Sequence, residues 1–286
     1  MDHRKADPFS VQRNAILGLL FALAAAAWAL LVWQSVGASM DIALASPTMG
    51  LRAPLFLAIW VVMMVAMMFP AAAHMILTFH RVQAEKRERG VAFVSTWVFV
   101  VAYMLVWTLA GVIAYVGAFV AETVAAGAAL STATAGRIGG AVLVAAGLYQ
   151  LTPLKDLCLS KCRTPITFIM TSWRDGFAGA LRMGLLHGVY CLGCCWLLFV
   201  ILFPLGIMNI AAMAAITLVI FAEKMLSWGR HAAIATAAAM VVYGAIVVAA
   251  PQFLPTFTAM GTMAKPALSL PMNMPMPERD SPPAMQ

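Results

Sequence analysis

Apolar residues in this chain neither alternate nor form narrow stripes. They come in unbroken runs of roughly 20, divided by short polar segments. A run of that length lets a helix cross a hydrocarbon core of about 30 Å. Only helices and closed barrels satisfy their own backbone in lipid, and the alternation of a barrel strand is missing. The pattern therefore predicts an all-α, polytopic transmembrane helix bundle of about seven spans, over residues 14–36, 54–78, 92–121, 137–153, 180–203, 206–224 and 232–250. The fourth run is the shortest. Its Gly136, Gly139, Gly140 and Gly147 suit a close crossing with another helix. Residues 1–13 form a tail before the helical domain of 14–250, and 251–286 a tail after it.

Composition agrees with that reading. Of 286 residues, 63% are hydrophobic and only 10% charged, against about a quarter charged in a soluble domain. A net charge of +7 would suit nucleic acid if the bases shared a surface. They lie instead between the apolar runs, which points to membrane lipid and away from nucleic acid. With the N-terminus inside, 13 of the 18 Lys and Arg residues fall on cytoplasmic segments, Lys155 and Lys224 among them. Four fall outside, and Arg182 marks a cytoplasmic helix entrance. The positive-inside rule then gives an N-in, C-out topology in a bacterial inner membrane. Val36-Gly37-Ala38 resembles a signal-peptide cleavage site, but the first apolar run is too long for a signal peptide's core. Five cysteines in so long a chain do not make a secreted disulfide framework.

The candidate chemistry centres on His187-Gly-Val-Tyr-Cys191-Leu-Gly-Cys194-Cys195-Trp196 in the fifth run. With His187 at zero, a helix puts Cys191 at about 40°, Cys194 at about −20° and Cys195 at about 80°. Thiolate and imidazole on one face are ligands for Cu(I) or Zn(II), and thiolate favours the softer Cu(I). Thiol redox chemistry and plain packing of small apolar cysteines are the competing readings. The second run adds Met63, Met64, Met67, Met68 and, beyond Pro70, His74. Methionine stripes usually fill cores. These nevertheless fall at a depth close to that of the cysteines, which makes a shared site possible if the two helices are neighbours. Pro70 frees the carbonyl one turn earlier and opens the prospect of a kink.

Between the fourth and fifth runs, Cys158 and Cys162 share one helical face among Lys155, Lys161 and Arg163. They fit exchange of a soft metal with the cytosol, the alternative being a basic contact with anionic lipid. Glu223 and Lys224 close the sixth run and are expected to form a structural ion pair near the cytoplasmic surface. The C-terminal tail carries 8 of the 15 prolines and 6 of the 21 methionines. Met272, Met274 and Met276 suit either a flexible extracytoplasmic copper-collecting arm or simple compositional bias.

On these pieces the chain resembles a bacterial family of predicted metal-binding integral membrane proteins, a domain of unknown function sometimes labelled copper chaperone. The resemblance rests on Met63-Met64-Val-Ala-Met67-Met68-Phe-Pro70, on Tyr149 to Arg163 with Pro165, on Cys191-Leu-Gly-Cys194-Cys195-Trp196, on Met208-Asn209 and on Glu223-Lys224. His74 departs from the family pattern, and the methionine-rich tail lies outside the matching region. The resemblance implies metal handling, with copper ahead of zinc, and a protein that donates or accepts copper as partner. The residues themselves leave two rivals open: a membrane thiol-disulfide oxidoreductase, and a non-catalytic structural subunit of a membrane complex. No catalytic set and no Walker-type phosphate loop is present, so any transport is passive, ion-coupled or partner-driven.

Overall fold

The computed structural model describes residues 8–37, 48 and 51–255, and everything found among them is helix, turn or loop, with no strand. The methionine-rich part of the C-terminal tail, including Met272, Met274 and Met276, lies outside the described residues. The chain runs through α1 (Pro8–Gly37), α2 (Ala53–Glu88), α3 (Thr96–Gly127), α4 (Thr132–Tyr149), α5 (Pro153–Arg163) and α6 (Pro165–Ser172). It continues through α7 (Gly176–Val200), the single turn α8 (Leu202–Leu205), α9 (Ile210–Met225) and α10 (Gly229–Ala249).

Five of these are long and apolar enough to cross a membrane: α1, α2, α3, α7 continued by α8, and α10. A sixth candidate is α4 with α5, a pair bent by 63° around Gln150–Thr152. The bend follows from local chemistry. The Thr152 side chain caps α5 by accepting from the Lys155 N–H, and Pro153 at the first helical position has no N–H to leave unpaired. The expected sixth run appears as α9, which has 16 residues and a length of about 24 Å. It begins at Asn209, whose side chain accepts from the Ala212 N–H, after a turn at Gly206 with φ of 94°. The outward faces carry Trp33, Leu109, Ile113, Leu218 and Val242, all exposed. Such faces suit lipid.

Small residues set the packing. A Cβ on Gly140 would meet the Val248 backbone N at 2.8 Å and the Gly244 O at 2.9 Å, so α4 and α10 cross at backbone contact. On α7, a Cβ on Gly184 would come within 2.5 Å of the Phe99 carbonyl O, and one on Gly188 within 2.8 Å of Val106. This Gly184-x-x-x-Gly188 stripe lets α3 and α7 pack tightly along their length. Short α5 folds back against α7, and α9 reaches α2, α5, α7 and α10.

Pro70 sits inside continuous α2. Lacking an N–H, it leaves the Ala66 carbonyl without its helical donor. The Trp28 indole of α1 donates to that oxygen at 3.1 Å, so the freed group is used to fasten one helix to another. Trp28→Phe strands the carbonyl and is expected to cost about 1–3 kcal/mol, seen as a lower melting temperature in detergent. Adding Pro70→Ala restores the helical donor and should recover most of the loss. If the double variant melts no higher than Trp28→Phe alone, the Trp28 bond has been misjudged.

Candidate metal centre

The helical face predicted from spacing is buried as a unit. His187 (2%), Cys191 (0%), Cys194 (2%) and Cys195 (1%) are all shielded, and all five cysteines are free thiols. Within α7 the Cys194 and Cys195 thiols donate to the Cys191 carbonyl at 3.1 and 2.8 Å. Cys191 is the hub. Its sulfur accepts from the Lys224 Nζ at 2.9 Å and lies 3.1 Å from the Tyr103 hydroxyl of α3.

Folding α5 back brings Cys162 to this cluster and sets Cys158 against the same stretch of α7. The Cys162 side chain interacts with Cys191 and Cys194. Cys158 lies against Gly193, where a Cβ would meet its sulfur at 2.7 Å. The Tyr149 hydroxyl donates to the Gly193 carbonyl, holding the end of α4 to the same stretch of α7. The C-x₃-C pair of α5 is therefore packed against the thiol-bearing stretch of α7.

His187, one turn below Cys191, is held by rings. Its imidazole stacks on Tyr103 at 5.4 Å and on Phe99 at 5.8 Å, with Phe168 of α6 also at 5.8 Å. Neither ring nitrogen has a hydrogen-bond partner in the protein. A buried polar group left unpaired is uncommon and calls for a reason. A lone pair kept free for a metal is one.

The acidic and basic residues depart from expectation. Glu223 does not pair with Lys224. It bridges Lys155 of α5 at 2.7 Å, with both side chains fully buried. Successive residues on a helix point about 100° apart, so Glu223 and Lys224 face different neighbours. Lys155 and Lys224 are thus enclosed between helices and not in cytoplasmic loops. At the C-terminal end of α2, Lys86 bridges Asp175, which also accepts from the Trp173 indole. These two donors hold the Asp175 carboxyl below its ordinary value.

Met63, Met64, Met67 and Met68 are all buried in the shared core of the bundle. α2 runs antiparallel to α7: Trp60 meets Phe199 at 6.3 Å near one end, and Phe79 meets Trp173 at 6.1 Å near the other. Counting back from the first contact, Met67 lies about 10 Å along α2 and Cys191 about 12 Å along α7. The two are therefore level, although α2 packs mainly on α1 and α3. His74 is exposed, unlike its neighbours Ala73 and Met75, and does not join the buried group. Among the described residues no three His, Cys, Asp or Glu side chains stand ready-arranged around a metal position. The donor set nevertheless fits a soft ion in kind: thiols, an unpaired imidazole and thioethers.

Fold and site together define an all-helical protein with membrane-length apolar helices and a thiol-rich core. The model of the PpoB2 family, described as copper chaperone, matches residues 57–247, and the chain belongs to this family. The match runs from within α2 to within α10, so it contains every thiol and both buried lysines. No curated protein and no solved structure matches the chain.

The Lys155–Glu223 bridge has a direct test. Glu223→Gln leaves an uncompensated ammonium in the core and is expected to cost about 3–5 kcal/mol, read as a fall in melting temperature. Removing both charges with Lys155→Met and Glu223→Met should cost clearly less. Equal losses in the single and double variants would show that the bridge is not what holds α5 and α9 together.

Proposed function

We propose that this protein handles Cu(I) within the bacterial inner membrane, taking it up at the buried cysteine cluster and passing it to a partner protein. Cys191, Cys194 and Cys195 bind the ion with His187 as a further ligand. Cys158 and Cys162 exchange copper with the cluster from α5. Met63, Met64, Met67 and Met68 form an adjoining thioether surface at the same depth. Zinc is the weaker candidate, because thiolate and thioether donors favour the softer ion. The topology in this reading is N-in and C-out, with the bent α4–α5 pair and the short α9 completing seven crossings.

One observation carries the reading. Three separate stretches of sequence, α5, α7 and α9, bring Cys162 and a buried lysine to Cys191 and Cys194, near an imidazole with no hydrogen-bond partner. Packing alone accounts for buried cysteine. It does not account for the charged group aimed at a sulfur. The copper-chaperone description of the family points the same way.

The test is to purify the full chain in detergent under reducing, anaerobic conditions with copper and count bound metal and free thiols. About one or more Cu(I) per chain is expected, lost in Cys191→Ser with Cys194→Ser. No bound copper with a redox-active disulfide among Cys191, Cys194 and Cys195 would replace this reading with a thiol oxidoreductase. Neither metal nor disulfide would leave a structural subunit.

A further inference from the structure

Where α2 ends, apolar and charged surface meet in a way the thiol cluster does not explain. A groove of about 330 Å³ opens there between the last turns of α2 and the short helix α6. Its apolar lining is Val82, Ile169, Met170 and Trp173, and its charged lining is Glu85, Lys86 and Arg89. The apolar part continues along α6, where Ile166 and Met170 are 65% and 76% exposed. The acids at the groove are already answered. Glu85 pairs with Arg81 at 3.4 Å, and Asp175 takes both Lys86 and the Trp173 indole. Lys86 is further held over the Trp173 ring, 5.0 Å from its centre. Arg89 has no side-chain partner among the described residues, so its guanidinium stands free beside apolar surface.

The surroundings narrow the occupant. Trp97 at the start of α3 and Trp173 ahead of α7 both lie at this end, and indoles gather where hydrocarbon meets water. Val91 and Phe93 are half exposed in the loop between α2 and α3, with the Arg87 guanidinium 5.2 Å over the Phe93 ring. Bases outnumber acids: Arg81, Lys86, Arg87, Arg89 and Arg174 stand against Glu85, Glu88 and Asp175. Resting on the membrane reading of this chain, we propose that the groove seats one anionic phospholipid. Its phosphate lies on Arg89, and one acyl chain runs along Ile169, Met170 and Ile166. A zwitterionic headgroup brings its own cation, which competes with the guanidinium for the phosphate. Free phosphate has no use for the apolar lining, and an acidic protein surface would set its charges against it. The lipid also steadies α6 from outside. Phe168, next to Ile169, packs on His187 at 5.8 Å, so opposite faces of one short helix meet the lipid and the imidazole.

The test offers the delipidated full chain, in detergent, phosphatidylglycerol, phosphatidylcholine or inorganic phosphate. Native mass spectrometry counts the lipid retained, and hydrogen exchange follows the amides of α6 and the end of α2. The unaltered chain should retain phosphatidylglycerol over phosphatidylcholine, and only phosphatidylglycerol should slow exchange at those amides. Arg89→Gln should cut the preference about fivefold, and Arg89→Lys should keep it. Met170→Glu, at an exposed position, should weaken phosphatidylglycerol binding without lowering the melting temperature. A preference that survives both Arg89→Gln and Met170→Glu overturns the inference. So does protection by phosphate alone, or protection that falls elsewhere in the chain. Equal retention of the two lipids by the unaltered chain also overturns it, and leaves the groove to an acidic protein surface. These results leave the membrane reading intact. A chain washed out of vesicles by alkaline carbonate overturns that reading, and the inference with it.

Discussion

A charge carried into hydrocarbon must be met by an opposite charge or a hydrogen-bond acceptor at contact distance, and this bundle meets that demand twice within one small region. Lys155 is answered by Glu223, and Lys224 by the sulfur of Cys191. Both arrangements need α9 to sit against α5 and α7, with its last turn facing two ways at once. The remaining architecture makes that contact available. Glycines let α7 approach α3, so that Tyr103 reaches the far side of Cys191. The 63° bend after α4 returns α5 to the thiol-bearing face of α7.

The apolar runs and the one-sided helix of His187, Cys191, Cys194 and Cys195 were legible because each depends only on residues close in sequence. Run length reports membrane depth, and a spacing of three or four reports a helical face. The Lys155–Glu223 bridge was not legible, because adjacency in sequence made Lys224 the obvious partner for Glu223. Helical geometry separates neighbours by about 100°, and only the packing of α5 shows which lysine each position meets. Lys155 itself looked like a loop base, since α5 is short, follows a proline and carries Asp156, Lys161 and Arg163. The close-packing face of Gly136, Gly139, Gly140 and Gly147 was legible, and Gly140 marks the α4–α10 crossing. Nothing near Tyr103 in sequence distinguishes it from an ordinary tyrosine in an apolar helix. His74 shows the reverse difficulty: its spacing from Met67 put it on the methionine face, but helical phase alone does not tell which face is covered near a helix end.

The two charge contacts differ in what they ask of the protein. The Lys155–Glu223 bridge engages one carboxylate oxygen, leaves the other buried without a hydrogen-bond partner, and adds cohesion to the bundle. The Lys224–Cys191 contact joins a cation to a reactive group with other possible partners, including the neighbouring Cys162. The first is an internal clamp, and the second orients a soft donor inside the bundle.

The distances along the chain between these partners bear on how the protein is made. Lys155 precedes Glu223 by 68 residues, and Cys191 precedes Lys224 by 33. While α5 and α7 are being synthesised, the residues that answer their charge and orient their thiols do not yet exist. The lysine of α5 must therefore wait at the membrane surface or in the insertion machinery until α9 has emerged. Only then can the short helix enter the bundle and the thiol cluster close. The thiol cluster is thus completed late in synthesis, and a ribosome halted before α9 leaves a bundle in which Cys191 and Lys155 lack their partners.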